Sequence, residues 1–149
     1  MNKKIKKGSK GNKNTSQNKK GNLNDSNKMA ITDWFYMTPS EIDAKSIAQL
    51  MEVECKASVE LWEELNILQI ELSNQVTIDF EPMTLNFKDS SDMEFINSQK
   101  VRTIFAVYIA SGILEDEFKN ILKVILNRWE GFLCADSQDF QPVYSLGDL

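Results

Sequence analysis

The chain reads as a single α+β domain, with an N-terminal helix, a mostly antiparallel sheet of about four short strands, and a long C-terminal amphipathic helix. Three observations predict this. Between residues 68 and 87 apolar and polar residues alternate in three short runs, which is the period of a half-buried strand. Helix-start chemistry stands on both sides of that region, at Thr38-Pro39-Ser40-Glu41 and at Glu115-Asp116-Glu117. Residues 1–28 are mostly Lys, Asn, Gly and Ser, with too little apolar surface to offset the entropy of ordering, so they are expected to be a disordered basic arm. Residues 29–149 then form an acidic globular domain.

Charge divides the chain at the same point. Nine lysines against Asp25 give residues 1–28 a charge of +8. The whole chain is −5, so residues 29–149 carry −13, eight basic residues against 21 acidic ones. Such asymmetry is a statement about partners rather than fold.

The elements follow in order. Order is expected to begin near Trp34-Phe35-Tyr36-Met37. A capping box of Thr38 and Glu41, Pro39 at the first helical position and a Met37–Ile42 staple predict a helix that ends near Lys56. Ile42, Ile47, Leu50, Met51 and Cys55 fall on its apolar face. Residues 58–66 do not choose between a helical turn and an edge strand. The alternating runs Leu68–Leu72, Val76–Phe80 and Met83–Phe87 predict a meander, against one long helix over 57–74 that no Gly or Pro interrupts. Asp89-Ser90-Ser91, with Ser91 and Glu94 in capping-box register, opens a short helix to about Gln99. Residues 101–109 are β-branched and aromatic, predicting a central strand, although so short an apolar run is also compatible with helix. The last helix is expected over about 114–133, its stripe running from Phe118 through Trp129 to Phe132 and Leu133. The segment after it reads as irregular and acidic, with a short strand around Val143-Tyr144-Ser145.

The absence of histidine excludes Ser-His-Asp and Cys-His triads, His-bearing metal sites and the usual acid/base near neutral pH. Cys55 and Cys134 are read as two reduced thiols, and Cys134 as a small packed residue. Gly8-Ser9-Lys10-Gly11 has no preceding strand or following helix and is no phosphate loop. Asp79, Glu81, Asp136 and Asp139 are oxygen ligands in kind but follow no calcium-loop spacing. No cofactor is expected. No run of 18 apolar residues occurs, so no membrane-spanning helix is expected, and neither secretory nor mitochondrial targeting chemistry is found at residues 1–28. Cytoplasmic localisation follows as the expectation.

Two sets of residues are candidates for contact. Glu60, Trp62, Glu63 and Glu64, with Asp79 and Glu81, would give a basic partner protein an acidic surface and an aromatic anchor; the competing reading is a half-buried Trp62 beside a solvated charged face. Lys3, Lys4, Lys6, Lys7, Lys10, Lys13, Lys19 and Lys20 could contact an anionic surface. The expected function is a non-enzymatic cytoplasmic protein-binding module, comparable only in size and charge with small immunity proteins or secretion chaperones. The alternative is a nucleic-acid- or ribosome-associated protein acting through the arm, and a carboxylate-dependent metal enzyme is a third reading. The arm lacks arginine and aromatics, which leaves it loose phosphate contact and no base readout.

Overall fold

A computed structural model describes residues 30–149; the expected basic arm of residues 1–28 lies outside the described residues. Seven strands form one sheet: β1 (Asp33–Thr38), β2 (Ser58–Trp62), β3 (Ile67–Glu71), β4 (Thr77–Met83), β5 (Thr103–Ile109), β6 (Phe132–Ala135) and β7 (Val143–Tyr144). Their order is β2-β3-β4-β5-β1-β6-β7, and every neighbouring pair is antiparallel. Three short helices accompany them: α1 (Ala44–Leu50, continued by a π-type turn over Met51–Cys55), α2 (Ser90–Ser98) and α3 (Asp116–Trp129). The expectation of about four strands and a long C-terminal helix is therefore overturned. The protein is α+β with a seven-stranded sheet, and its last long element of helix is followed by two more strands.

The largest correction concerns residues 34–37. They form the middle of β1, held between β5 and β6, with Phe35 paired to Ala106 on one side and to Cys134 on the other. A strand buried on both faces has no polar side to alternate with, so its sequence shows no period of two. Trp34 and Tyr36 enter one core cluster, Phe35 and Met37 the other. The Thr38–Glu41 capping box does not form. Thr38 is fully buried, its hydroxyl donates to the Trp129 carbonyl at 2.8 Å, and it accepts from the Ser40 amide. The helix instead starts five residues later, where the Asp43 carboxylate accepts from the Ser46 amide at 2.9 Å. The Ser46 hydroxyl and amide hold the Asp43 carboxyl below the usual carboxylate range. Met37 and Ile42 pack on opposite sides of the sheet, so they form no staple. The expected end at Lys56 is correct: Lys56 turns left-handed with φ 53°.

The predicted helix over 114–133 is too long. α3 ends at Trp129, because Glu130 and Gly131 both take positive φ and reverse the chain. Phe132 and Leu133, expected on the helical stripe, are β6 and pair with Met37 and Tyr36. The carbonyls at the end of α3 are taken by the sheet: Ser40 and Thr38 donate to Trp129, and the Tyr36 hydroxyl donates to Glu130 at 3.0 Å. Elsewhere the first two alternating runs are β3 and β4. The third is not a strand: β4 ends at Met83, and Leu85 and Phe87 pack beneath the sheet from an irregular segment. Residues 58–62 are the edge strand β2, followed by a 3-10 turn over Glu63–Leu65, which excludes the long helix over 57–74. α2 is capped by Asp89, which accepts from the Ser91 amide, rather than by a Ser91–Glu94 box. The predicted central strand at 101–109 is β5, and the short strand at 143–144 is β7.

The two faces of the sheet are covered unequally. On one, α1 and α3 pack along residues of β1 through β6, including Ile70, Phe80 and Phe105. On the other, α2 and the rings of Phe87, Phe95 and Phe140 cover Phe35, Met37, Ile104, Phe132 and Cys134. No residue of β2 or β3 belongs to that second cluster. The half of this face formed by β2, β3, β4 and the distal end of β5 is left open. Among the described residues, no helix is long and apolar enough to cross a membrane.

Candidate functional site

The open half of the sheet is acidic by construction. Register places Glu60 opposite Gln69, Gln69 opposite Asp79, Asp79 opposite Tyr108, and Tyr108 opposite Asp33. One row of side chains thus crosses five strands on one face. Glu81, opposite Ala106, lies in the adjacent row, and Trp62, opposite Ile67, stands at the edge on the same face. Strand alternation puts all five acids of the strands, Asp33, Glu60, Glu71, Asp79 and Glu81, on this side. None of the seven strands contains a lysine or arginine; the described basic residues stand on helices and connecting segments.

Ala106 is the smallest side chain in the middle of this face. The surrounding Asp33, Asp79, Glu81, Tyr108 and Asp136 make an open depression around it. Tyr108 is 45% exposed, so its ring is available to solvent between two carboxylates. Asp79 is half-buried and accepts a hydrogen bond from the Gln69 amide at 2.7 Å, which fixes its carboxylate. Asp136 follows β6 and bonds its amide to the Asp33 carbonyl at 3.0 Å. Partial burial, and then the charge of Asp33, hold the Asp136 carboxyl above the usual range. Like charges gathered on one face repel, and a cation placed among them relieves that repulsion. An ammonium or guanidinium group over Tyr108 would meet the ring face and a carboxylate on each side.

Four of the six residues expected to bind a partner are thus on one face: Glu60, Trp62, Asp79 and Glu81. Glu63 and Glu64 lie in the turn after β2, and Glu63 is drawn away by an ion pair with Lys45 of α1 at 3.3 Å. Sequence reasoning missed Asp33 and Tyr108, and named Asp136 only among possible oxygen ligands, not at this face. The signal for the first two was alternation within β1 and β5, hidden by continuous apolar character. Asp139 belongs to a separate loop surface with Asp89 and Ser137, apart from Asp79, Glu81 and Asp136. Among the described residues, no group of three or more side chains is arranged to hold a metal ion.

Neither thiol is an activated nucleophile. Cys134 is fully buried, and burial followed by the charge of Asp136 pushes its thiol up to about 12. Cys55 is raised by partial burial and by Glu54. They pack with core clusters on opposite sides of the sheet and are both free. The lysines expected to contact an anionic surface, Lys3 through Lys20, lie outside the described residues. Comparison with known proteins finds no family model that matches this chain, and no curated protein or solved structure similar to it.

Proposed function

We propose that this protein is a non-enzymatic binding module whose open sheet face recognises a lysine- or arginine-rich surface of another protein. The observation that carries this reading is the sorting of charge. Five strand acids share one face, no strand carries a base, and the exposed ring of Tyr108 lies between Asp79 and Asp33. A carboxylate-lined face with aromatic anchors suits a cationic partner in two ways. The field steers encounter, and the rings provide contact area that carboxylates alone lack. The reading places the protein in the cytoplasm, where two free thiols stay reduced.

The test compares the full chain with two double variants in nuclease-treated pull-downs. Asp79→Asn/Glu81→Gln neutralises the face while keeping side-chain shape and an acceptor for Gln69. Glu115→Gln/Asp116→Asn neutralises two acids at the start of α3, remote from it. A stoichiometric basic protein should be retained by the wild type and by the α3 variant. The face variant should bind it on the order of 1,000-fold more weakly, since each truncated charge pair at an interface costs about 2 kcal/mol or more and two are removed. Retention of no basic protein, or equal retention by all three chains, overturns the reading.

A further inference from the structure

We infer that the lysine-rich residues 1–28 of the same chain dock in cis on the open half of the sheet, so that a basic partner has to displace them. This rests on the binding reading above and adds its regulation. The face is an unpartnered sheet surface, and three observations select its occupant. The first is attachment. β1 begins at Asp33, which is itself part of the acidic row and lies opposite Tyr108. Lys28 is only five residues upstream, which is at most about 17 Å of extended chain, so the arm is tethered within reach of the border of the face.

The second is reach. From β1 to the edge strand β2 the sheet takes four interstrand steps, β1 to β5, β4, β3 and β2. At about 4.8 Å per step that is roughly 19 Å. An extended chain covers this in about six residues at roughly 3.3 Å each. The segment from Lys3 to Lys28 exceeds that length several times over, so its lysines can meet Asp33, Asp79, Glu81 and Glu60 together. A tether of this kind holds an effective concentration on the order of millimolar, which makes individually weak ion pairs count collectively.

The third is complementarity. Residues 1–28 carry +8, and the strands of the face offer acids with no base among them. Both of the ion pairs among the described residues, Lys45–Glu63 and Arg102–Glu41, leave the acids of the open row unused. Ile5 and Leu23 are almost the only apolar residues of the arm after Met1, so contact is electrostatic and yields to salt. A partner with denser positive charge, or one bringing arginine to the face of Tyr108, displaces it.

Zero-length carbodiimide cross-linking of the full chain, read by mass spectrometry, tests this directly, because it joins only an ammonium and a carboxylate already in contact. At low ionic strength, Lys3 to Lys20 should link mainly to Asp33, Glu60, Asp79 and Glu81. The yield should not change on tenfold dilution and should drop severalfold at about 0.5 M salt, where the screening length is a few ångströms. Asp79→Asn/Glu81→Gln, checked by circular dichroism to be folded, should cut the arm's remaining links to Asp33 and Glu60 severalfold. Links spread equally over Glu52, Glu54 and Glu115 to Glu117 would overturn the proposal, as would an absence of arm links. Links that vanish on dilution would mean docking in trans on a second copy and would overturn it too. If cross-linking fails while partner capture still depends on Asp79 and Glu81, only the inference is lost; if cross-links form but capture does not depend on them, the binding reading is lost.

Discussion

Gly131→Ala should destabilise the fold by about 3 kcal/mol or more and leave little folded protein at growth temperature. Gly131 takes φ 101°, a region closed to side chains with a Cβ, and a left-handed residue alone costs about 1–2 kcal/mol. The second contribution is larger. A Cβ built there would stand 2.1 Å from the Met37 carbonyl oxygen and 2.9 Å from the Thr38 Cα, both backbone atoms of the central strand β1. Neither can swing aside as a side chain would. Relief requires separating β6 from β1 or lifting the end of α3. Either movement strains the bonds by which Thr38, Ser40 and Tyr36 hold the last carbonyls of that helix. Gly147→Ala is the matched control: no atom lies within 4 Å of the added carbon, and its φ is not positive, so stability should change by no more than about 0.5 kcal/mol. Chemical denaturation of both variants decides it, and a Gly131→Ala protein as stable as the control would mean that the β1–β6 junction is not as tight as described.

The same junction explains where sequence reading worked and where it stopped. Strands with one wet face are legible: Leu68, Ile70, Ile78 and Phe80 are buried, and their polar neighbours Gln69 and Asp79 face outward. Helix α3 announces itself by its acidic first turn and apolar stripe. Strands covered on both sides are not legible in this way. Trp34 to Thr38 and Phe132 to Ala135 contain no exposed residue, so no period distinguishes them from helix or loop. Plausible capping chemistry beside them, Thr38 with Glu41, misdirects the assignment, because a buried hydroxyl serves the carbonyl of Trp129 instead. Without β1, the open face is only partly legible. Asp79 is legible from the alternating run at 76–80, Glu81 from the turn that follows it, and Glu60 and Trp62 from the acidic, aromatic cluster at 60–64, whereas Asp33 and Tyr108 join them only once β1 lies beside β5.

Phe80→Ala should cost about 3–5 kcal/mol, roughly a fifth or more of the stability of an ordinary domain. Phe80 is fully buried on β4 and meets two other rings edge-on, Phe105 of β5 at 6.1 Å and Phe118 of α3 at 6.5 Å. It therefore joins two strands to the helix that covers them. Truncation removes its buried area, both aromatic pairs at about 0.5–1.5 kcal/mol each, and leaves a cavity between sheet and helix that neither can close alone. Phe80→Leu keeps most of the volume but not the ring contacts, and should cost about 1.5 kcal/mol. Tyr108 supplies the contrast. It stands on the neighbouring strand β5 opposite Asp79, the residue preceding Phe80, and so projects from the other side of the same sheet. It is 45% exposed, and its ring joins neither core cluster. Tyr108→Ala should shift stability by less than about 1 kcal/mol while weakening capture of a basic partner about tenfold, as loss of an exposed aromatic anchor does. Denaturation midpoints and partner affinities measured on the same three proteins separate the two faces. A Tyr108→Ala chain that unfolds like Phe80→Ala would show the open face to be part of the core. If it binds as the wild type does, the aromatic anchor has no part in recognition, and the acids alone define the site.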